Sequence, residues 1–202
     1  MTMSISAVIL AGGQAKRMEG ADKGLQLLHG KPLFQFIYDR LHSQVETISI
    51  NANRNQAIYA TAGVPVFGDN LEGFQGPLSG ILTALERADS DFVLFVPCDS
   101  PFFPDNLLEK LKSAVDFHGV SIAYVHDGER EHPTFCLMAR SLKDKLATYL
   151  ASGERRMLQF MRQNGAVSVD FSENKAAFTN INTLEDLAYF DKHNDFSGFI
   201  AK

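Results

Sequence analysis

Between positions 8 and 24 the chain reads Val-Ile-Leu-Ala-Gly-Gly-Gln-Ala-Lys-Arg-Met-Glu-Gly-Ala-Asp-Lys-Gly. An apolar run stops at a glycine pair and gives way to three cations, Lys16, Arg17 and Lys23. Gly12 and Gly13 carry no Cβ, so backbone N–H groups there can approach an anion closely. Arg17 and Lys23 would neutralise a polyphosphate, and fixed cations stabilise the charge that builds on phosphoryl oxygens during group transfer. A tight turn and a solvated charged loop are the plainer uses of the same residues. The segment is neither of the two common phosphate loops. It lacks G-x-x-x-x-G-K-[ST], and Gly12-Gly13 does not have the G-x-G-x-x-G spacing.

Asp99 follows the apolar run 92–96. A carboxylate there suits Mg²⁺, a hard cation that takes oxygen ligands and is often shared with substrate phosphates. A helix cap or a turn is the alternative. Asp69 closes another short apolar run, as a second acidic group or as an Asx turn with Asn70. Asn51 offers an amide donor and acceptor suited to a base or ribose edge, or to a strand-end turn.

Alternating elements must position these groups. Strands are expected over 5–10, 47–51, 64–67, 92–96, 120–125, 134–138 and 167–171. Helices are expected over 32–41, 53–62, 77–88, 104–115, 141–150, 155–162 and 183–191, the last with Thr183 as N-cap and Asp186 three residues on. A polar loop fills 126–133. The order βαβαβαβα predicts a single-domain, three-layer α/β/α fold with a mostly parallel, Rossmann-like sheet. The later strand pair adds a smaller antiparallel part. Ligands of such sheets sit beyond the carboxyl ends of the strands, so the turns at 11–13, 51–53, 68–70 and 99–100 gather on one edge.

The 202 residues, 45% hydrophobic, suffice for one core. A net charge of −5 argues against a nucleic-acid or membrane-surface binder and fits a local cationic loop for a small anion. Cys98 and Cys136 form no C-x-x-C and no zinc spacing; this usage fits the cytoplasm. The first apolar run reads as a strand and not as a signal peptide. No run approaches the roughly 20 apolar residues of a membrane span.

Beyond these properties lies a resemblance. Leu10-Ala11-Gly12-Gly13, Arg17-Met18, Asp22-Lys23-Gly24 and Gly30-Lys31-Pro32-Leu33 resemble the signature of the GT-A-like nucleotidyltransferases. Within them the chain is most similar to the molybdenum cofactor guanylyltransferases. The similarity continues in order through Asn51–Arg54, Gly76–Gly80, Pro97–Pro101, His126–Thr134, Gly153–Arg156 and Phe178–Thr183. It implies transfer of GMP from GTP to molybdopterin with Mg²⁺, giving the guanine dinucleotide and pyrophosphate. By the same resemblance Leu10, Ala11 and Gly12 would line guanine and ribose, and Lys23 would contact phosphate. Asn51 and Asp69 would contribute to the nucleotide pocket, and Asp99 would bind nucleotide and metal. Arg17 would stand near the triphosphate, making Arg17, Lys23 and Asp99 the catalytic set. The loop 126–134, Arg155, Arg156, Asn180 and Asn182 would form the molybdopterin side, so the N-terminal half would hold the nucleotide and the C-terminal half the second substrate. Transient contacts with proteins that supply and accept the cofactor belong to the same expectation.

Two positions depart from the family pattern. Glu19 stands where glycine follows Arg-Met, and Leu184 where proline follows Asn-Thr. Related cytidylyltransferases carry alanine at the position of Gly12; the missing Cβ leaves room for a purine. The alternatives are another nucleotidyltransferase of the family, forming a cytidylated cofactor or a sugar nucleotide, and a non-catalytic molybdopterin carrier, which needs no GTP site.

Overall fold

The structure is a computed structural model that describes residues 3–13, 22–72 and 76–192. Seven strands form one sheet: β1 (Ile5–Leu10), β2 (Ile48–Asn51), β3 (Val66–Phe67), β4 (Phe92–Pro97), β5 (Ile122–His126), β6 (Glu131–Ala139) and β7 (Val167–Asp170). Their spatial order is β3-β2-β1-β4-β6-β5-β7. Four neighbouring pairs are parallel and two antiparallel, because β6 alone runs the other way. The mostly parallel sheet with a smaller antiparallel part is therefore as the pattern predicts. The β5–β6 ladder shifts register between Tyr124 and Val125.

Strand composition decides the layers. In β1, Ile9 faces one side and Val8 the other, and both are buried. On the Ile9 side lie α1 (Leu33–His42) and α3 (Leu107–His118), which contribute Phe34, Ile37, Leu41, Leu107 and Leu111. On the Val8 side lie α2 (Pro77–Arg87), α4 (Lys143–Ala151) and α5 (Met157–Gln163), with Ile81, Leu85, Leu146, Phe160 and Met161. Burying each such side chain stabilises the fold by roughly 1.5–3 kcal/mol, and the sheet is covered on both faces as parallel strands require.

The last helix among the described residues, α6 (Leu184–Lys192), begins in a capping box. The Asp186 N–H donates to Thr183 Oγ1 at 3.0 Å, and the Thr183 N–H donates to Asp186 Oδ2 at 2.9 Å. A small apolar cluster of Leu28, Leu33, Phe102, Ile181 and Phe190 ties α6 to the first half of the chain.

Several boundaries move. The expected helix 53–62 is one α-turn, Gln56–Tyr59, and a 3-10 turn, Ala60–Ala62. Asn55 is left-handed at φ 52°, which bars helix before Gln56. The loop at 126–133 shortens, since β6 begins at Glu131. A two-stranded hairpin, Leu27–Leu28 with Lys31–Pro32, was not expected from the sequence. No helix among the described residues is long and apolar enough to cross a membrane.

Candidate active site

β1, β2, β3 and β4 are mutually parallel, so their carboxyl ends share an edge. Backbone hydrogen bonds continue past the strand ends: Ala11 N–H to Asn51 O at 2.8 Å, Ala52 N–H to Phe67 O at 2.8 Å, and Cys98 N–H to Leu10 O at 3.1 Å. The turns that carry Gly12, Asn51 and Asp99 are thus held against one another by the main chain. Two cavities open at this edge. One, of about 160 Å³, is lined by Leu10, Ala11, Gly13, Asp22, Lys23, Pro97, Cys98 and Asp99. The other, of about 130 Å³, is lined by Leu10, Gly12, Gly13, Asn51, Asp69, Gly76, Pro77, Gly80, Pro97 and Thr134. Leu10, Gly13 and Pro97 are common to both.

In the first cavity Lys23 Nζ lies 3.2 Å from Asp99 Oδ2 and donates to Asn182 Oδ1 at 2.7 Å. The side chains of Lys23 and Asp99 are only 23% and 16% exposed, so solvent screens this pair less than a surface one. Asn182 is itself fixed, because its N–H donates to Asp186 in the capping box at 2.9 Å. Ser100, fully buried, donates to Asn180 Oδ1 at 2.5 Å, and the Ile181 N–H donates to Asp99 O at 2.7 Å. The segment before α6 therefore wraps the end of β4. Asp99 is not a helix cap: α3 starts at Leu107 with Asn106 at its N-cap. Burial pushes the Cys98 thiol far up, with the Asp99 charge adding to it, so Cys98 stays protonated beside the carboxylate.

In the second cavity the buried Asn51 donates from Nδ2 to Asp69 Oδ1 at 2.9 Å. The Asp69 N–H donates to Asn53 Oδ1 at 2.7 Å. Asn70 turns away, its N–H donating to Thr83 Oγ1 at 2.9 Å. Glycine is required beside this amide at position 80, while at position 12 a Cβ would only press on it. A Cβ on Gly80 would come within 2.2 Å of Asn51 Oδ1, and one on Gly12 within 3.1 Å of Asn53 Nδ2 and 3.3 Å of Asn51 Oδ1. The cavity thus presents a carboxylate and an amide held in fixed orientation.

The sequence-predicted residues Leu10, Ala11, Gly12, Lys23, Asn51, Asp69 and Asp99 all meet at these two cavities. Arg17, with Lys16 and Glu19, lies outside the described residues. Asn180 and Asn182 stand at the Lys23–Asp99 end rather than apart from it. Arg155 donates to Leu150 O at 2.7 Å and to Glu154 O at 2.6 Å, tying the end of α4. Arg156 lines a separate cavity of about 640 Å³ with Pro133, Met157, Leu158 and Arg162. The turn at 127–130 is braced by Asp127, which accepts from the N–H groups of Glu129 at 2.9 Å and Arg130 at 2.7 Å and pairs with His132 Nε2 at 2.7 Å. Burial opposes ionisation of Asp127. The His132 and backbone hydrogen bonds outweigh it and hold the carboxyl at about 2.

Sequence reasoning gave no site role to Asn53, Arg54 or Gly80, and it set Thr134 on the molybdopterin side. Arg54 reaches Gly13 O at 3.5 Å, which puts another cation beside the glycine turn. The Asn53-Arg54 pair just past β2, one residue beyond its end and at the ligand edge of the sheet, was the available signal.

An ion at Asp99 would have little protein coordination. Among the described residues no three His, Cys, Asp or Glu side chains cluster in a way that could hold a metal. One carboxylate completed by substrate phosphates and water is a donor set that suits a hard divalent cation.

Comparison with known proteins agrees with the geometry. Residues 7–167 match the model of the MobA-like NTP transferase domain. The molybdenum cofactor guanylyltransferase of Mannheimia succiniciproducens is 69% identical over 93% of this chain and 98% of its own length. That of Pasteurella multocida is 65% identical over 93% and 99%. Among solved structures, molybdopterin-guanine dinucleotide biosynthesis protein A from Archaeoglobus fulgidus superposes with a TM-score of 0.76 at 22% identity, over 93% of this chain and 97% of that one, a likeness of fold. With that fold, this strand-end site and relatives this similar along nearly their whole length, the chain belongs to the molybdenum cofactor guanylyltransferases, nucleotidyltransferases built on the MobA-like NTP transferase domain.

Proposed function

We propose that the chain transfers the guanylyl group of GTP to the terminal phosphate of molybdopterin, forming molybdopterin guanine dinucleotide and pyrophosphate. The observation that carries this reading is the Lys23–Asp99 pair, set beside a cavity in which Asn51 holds the Asp69 carboxylate. Guanine carries donors at N1 and at its exocyclic N2, and the Asp69 carboxylate is an acceptor for such an edge. Leu10, Ala11 and Gly12 supply the wall for base and ribose. Lys23 would stabilise charge on the phosphoryl oxygens, and the resemblance gives Arg17 a role at the triphosphate. The N-terminal half would supply most of the nucleotide site, with Thr134 and Asn182 reaching it from the C-terminal half, and the rest of the C-terminal half would take the molybdopterin.

Nucleotidyltransferases of this kind generally use a divalent metal. We assign Mg²⁺ to Asp99, where it would supply Lewis-acid neutralisation of the phosphates. The attacking phosphate monoester is already ionised at neutral pH, so the protein need not abstract a proton. That agrees with a reaction centre built from Lys23, Asp99 and amides, with Cys98 held protonated. Both cysteines are buried and free, which suits a reducing cytoplasm.

Mass spectrometry of the product from molybdopterin, Mg²⁺ and each of GTP, CTP and ATP tests the reading. The expected result is the guanine dinucleotide with GTP and little product with the others. Molybdopterin binding without any nucleotide-dependent product would overturn it in favour of a carrier, and preferred use of CTP would overturn the base assignment.

A further inference from the structure

Asp22 precedes Lys23 and lines the same cavity, yet its carboxylate is committed elsewhere. Tyr59 Oη donates to Asp22 Oδ1 at 2.5 Å, and Asn55 Nδ2 donates to Asp22 Oδ2 at 3.2 Å. The main-chain carbonyl of Asp22 is held as well, by Gln26 Nε2 at 3.0 Å and the Leu25 N–H at 3.2 Å. Tyr59 has no exposed surface and packs edge-on against Phe34, with ring centroids 4.9 Å apart. Gly24 completes the seat, because a Cβ there would fall 2.5 Å from the phenol oxygen. Every one of these groups comes from outside the reacting centre, and all converge on the residue next to Lys23.

We infer that Tyr59 is a positioning residue. Its phenol, with Asn55, clamps Asp22 and thereby fixes the backbone from which Lys23 reaches toward Asp99 and the GTP phosphates. The inference rests on the reading that Lys23 contacts those phosphates. Two consequences follow from charge. Held by two donors, the Asp22 carboxylate is partly neutralised beside an incoming polyanion. Released, it would be a second anion within reach of Lys23, competing with both Asp99 and the substrate. The phenol can serve as donor throughout the working range, since burial first, with the hydrogen bond to Asp22 and its charge, keeps it protonated. Asn55 tolerates its left-handed backbone better than most residues, and it brings its amide to Asp22 from there.

Steady-state kinetics with GTP as the varied substrate test the clamp. Tyr59→Phe keeps the ring and removes only the donor to a charged acceptor, so the KM for GTP is expected to rise about tenfold. A merely structural role would lower the active fraction and the melting temperature and leave KM unchanged. Asn55→Gly, which accommodates the left-handed backbone while deleting the amide, should raise KM in the same direction and serves should Tyr59→Phe fold poorly. Tyr38→Phe, the same deletion on a tyrosine stacked on His42 in α1, should leave KM unchanged. In a Lys23→Ala background, Tyr59→Phe should add nothing further. An unchanged KM in both clamp variants, or a full additional factor in the Lys23→Ala background, overturns the inference while leaving the function intact. An unchanged KM in Lys23→Ala alone overturns the phosphate contact, and the clamp with it.

Discussion

Asp99 meets two demands at one atom group. Its carboxylate pairs with Lys23, and in the proposed reaction it would also hold the metal that neutralises the nucleotide's phosphates. Removing it leaves a largely buried ammonium without its anion and, on the proposed role, would leave the phosphates without the residue that holds their metal. Asp99→Ala is therefore expected to lower turnover by about 10²–10³-fold, the scale of losing preorganised electrostatic stabilisation. Pyrophosphate release at saturating GTP and Mg²⁺ measures this, and activity within an order of magnitude of the parent would exclude the role. Lys23→Ala should act mainly on the KM for GTP, since the contact with phosphate proposed for it would exist before and during transfer. Gly12 is the position at which we expect base choice to be set. A methyl there would press on Asn53 and Asn51, at 3.1 and 3.3 Å, inside the cavity assigned to guanine. Gly12→Ala should lower kcat/KM for GTP and raise the use of CTP relative to it; equal losses for both nucleotides would show that Gly12 does not discriminate. The sequence disclosed the types of these residues and their place at strand ends. It did not disclose that Asn51 holds Asp69, because a contact between side chains eighteen positions apart leaves no local mark.

At the scale of elements, the capping box of α6 does more than start a helix. Asp186 Oδ2 accepts from the N–H groups of both Asn182 and Thr183, so one carboxylate anchors the segment whose Asn182 side chain meets Lys23. Asp186→Ala should lower stability by about 1 kcal/mol, as loss of a cap does, and should also raise the KM for GTP. A melting-temperature shift with unchanged KM would mean the cap and the site are uncoupled. Thr183 and Asp186 were legible because a capping box has fixed spacing. The hairpin Leu27–Leu28 with Lys31–Pro32 was not, since two-residue strands carry no period to read. The short helix at Gln56–Tyr59 was overread because apolar spacing cannot reveal a left-handed residue such as Asn55. That misreading mattered, for Tyr59 and Asn55 are the two donors to Asp22.

Across the whole molecule, alternating strands and helices disclosed the layers and the ligand edge, since the order of elements restricts topology. The position of the reversed strand β6 between β4 and β5 was not disclosed, because pairing order is a long-range property. That strand ends the hairpin braced by Asp127, which gives the fold an acid limb. Asp127 titrates at about 2, below its ordinary 3.8. The depressed value stabilises the ionised folded form. Its contribution of roughly 2 kcal/mol is thus present above about pH 4 and is lost as the pH falls through 2. Urea melts between pH 5 and 2 should show that loss in the parent and a flatter profile in Asp127→Asn; identical profiles would remove Asp127 from the account. The central claim concerns where the nucleotide sits, and a crystal structure with a non-hydrolysable GTP analogue and Mg²⁺ tests it most directly. The account predicts phosphates in contact with Lys23 Nζ, the metal on Asp99, and guanine against Asn51 and Asp69. Nucleotide bound instead in the groove lined by Tyr149 and Phe160 between α4 and α5, with the strand-end cavities untouched, would contradict it.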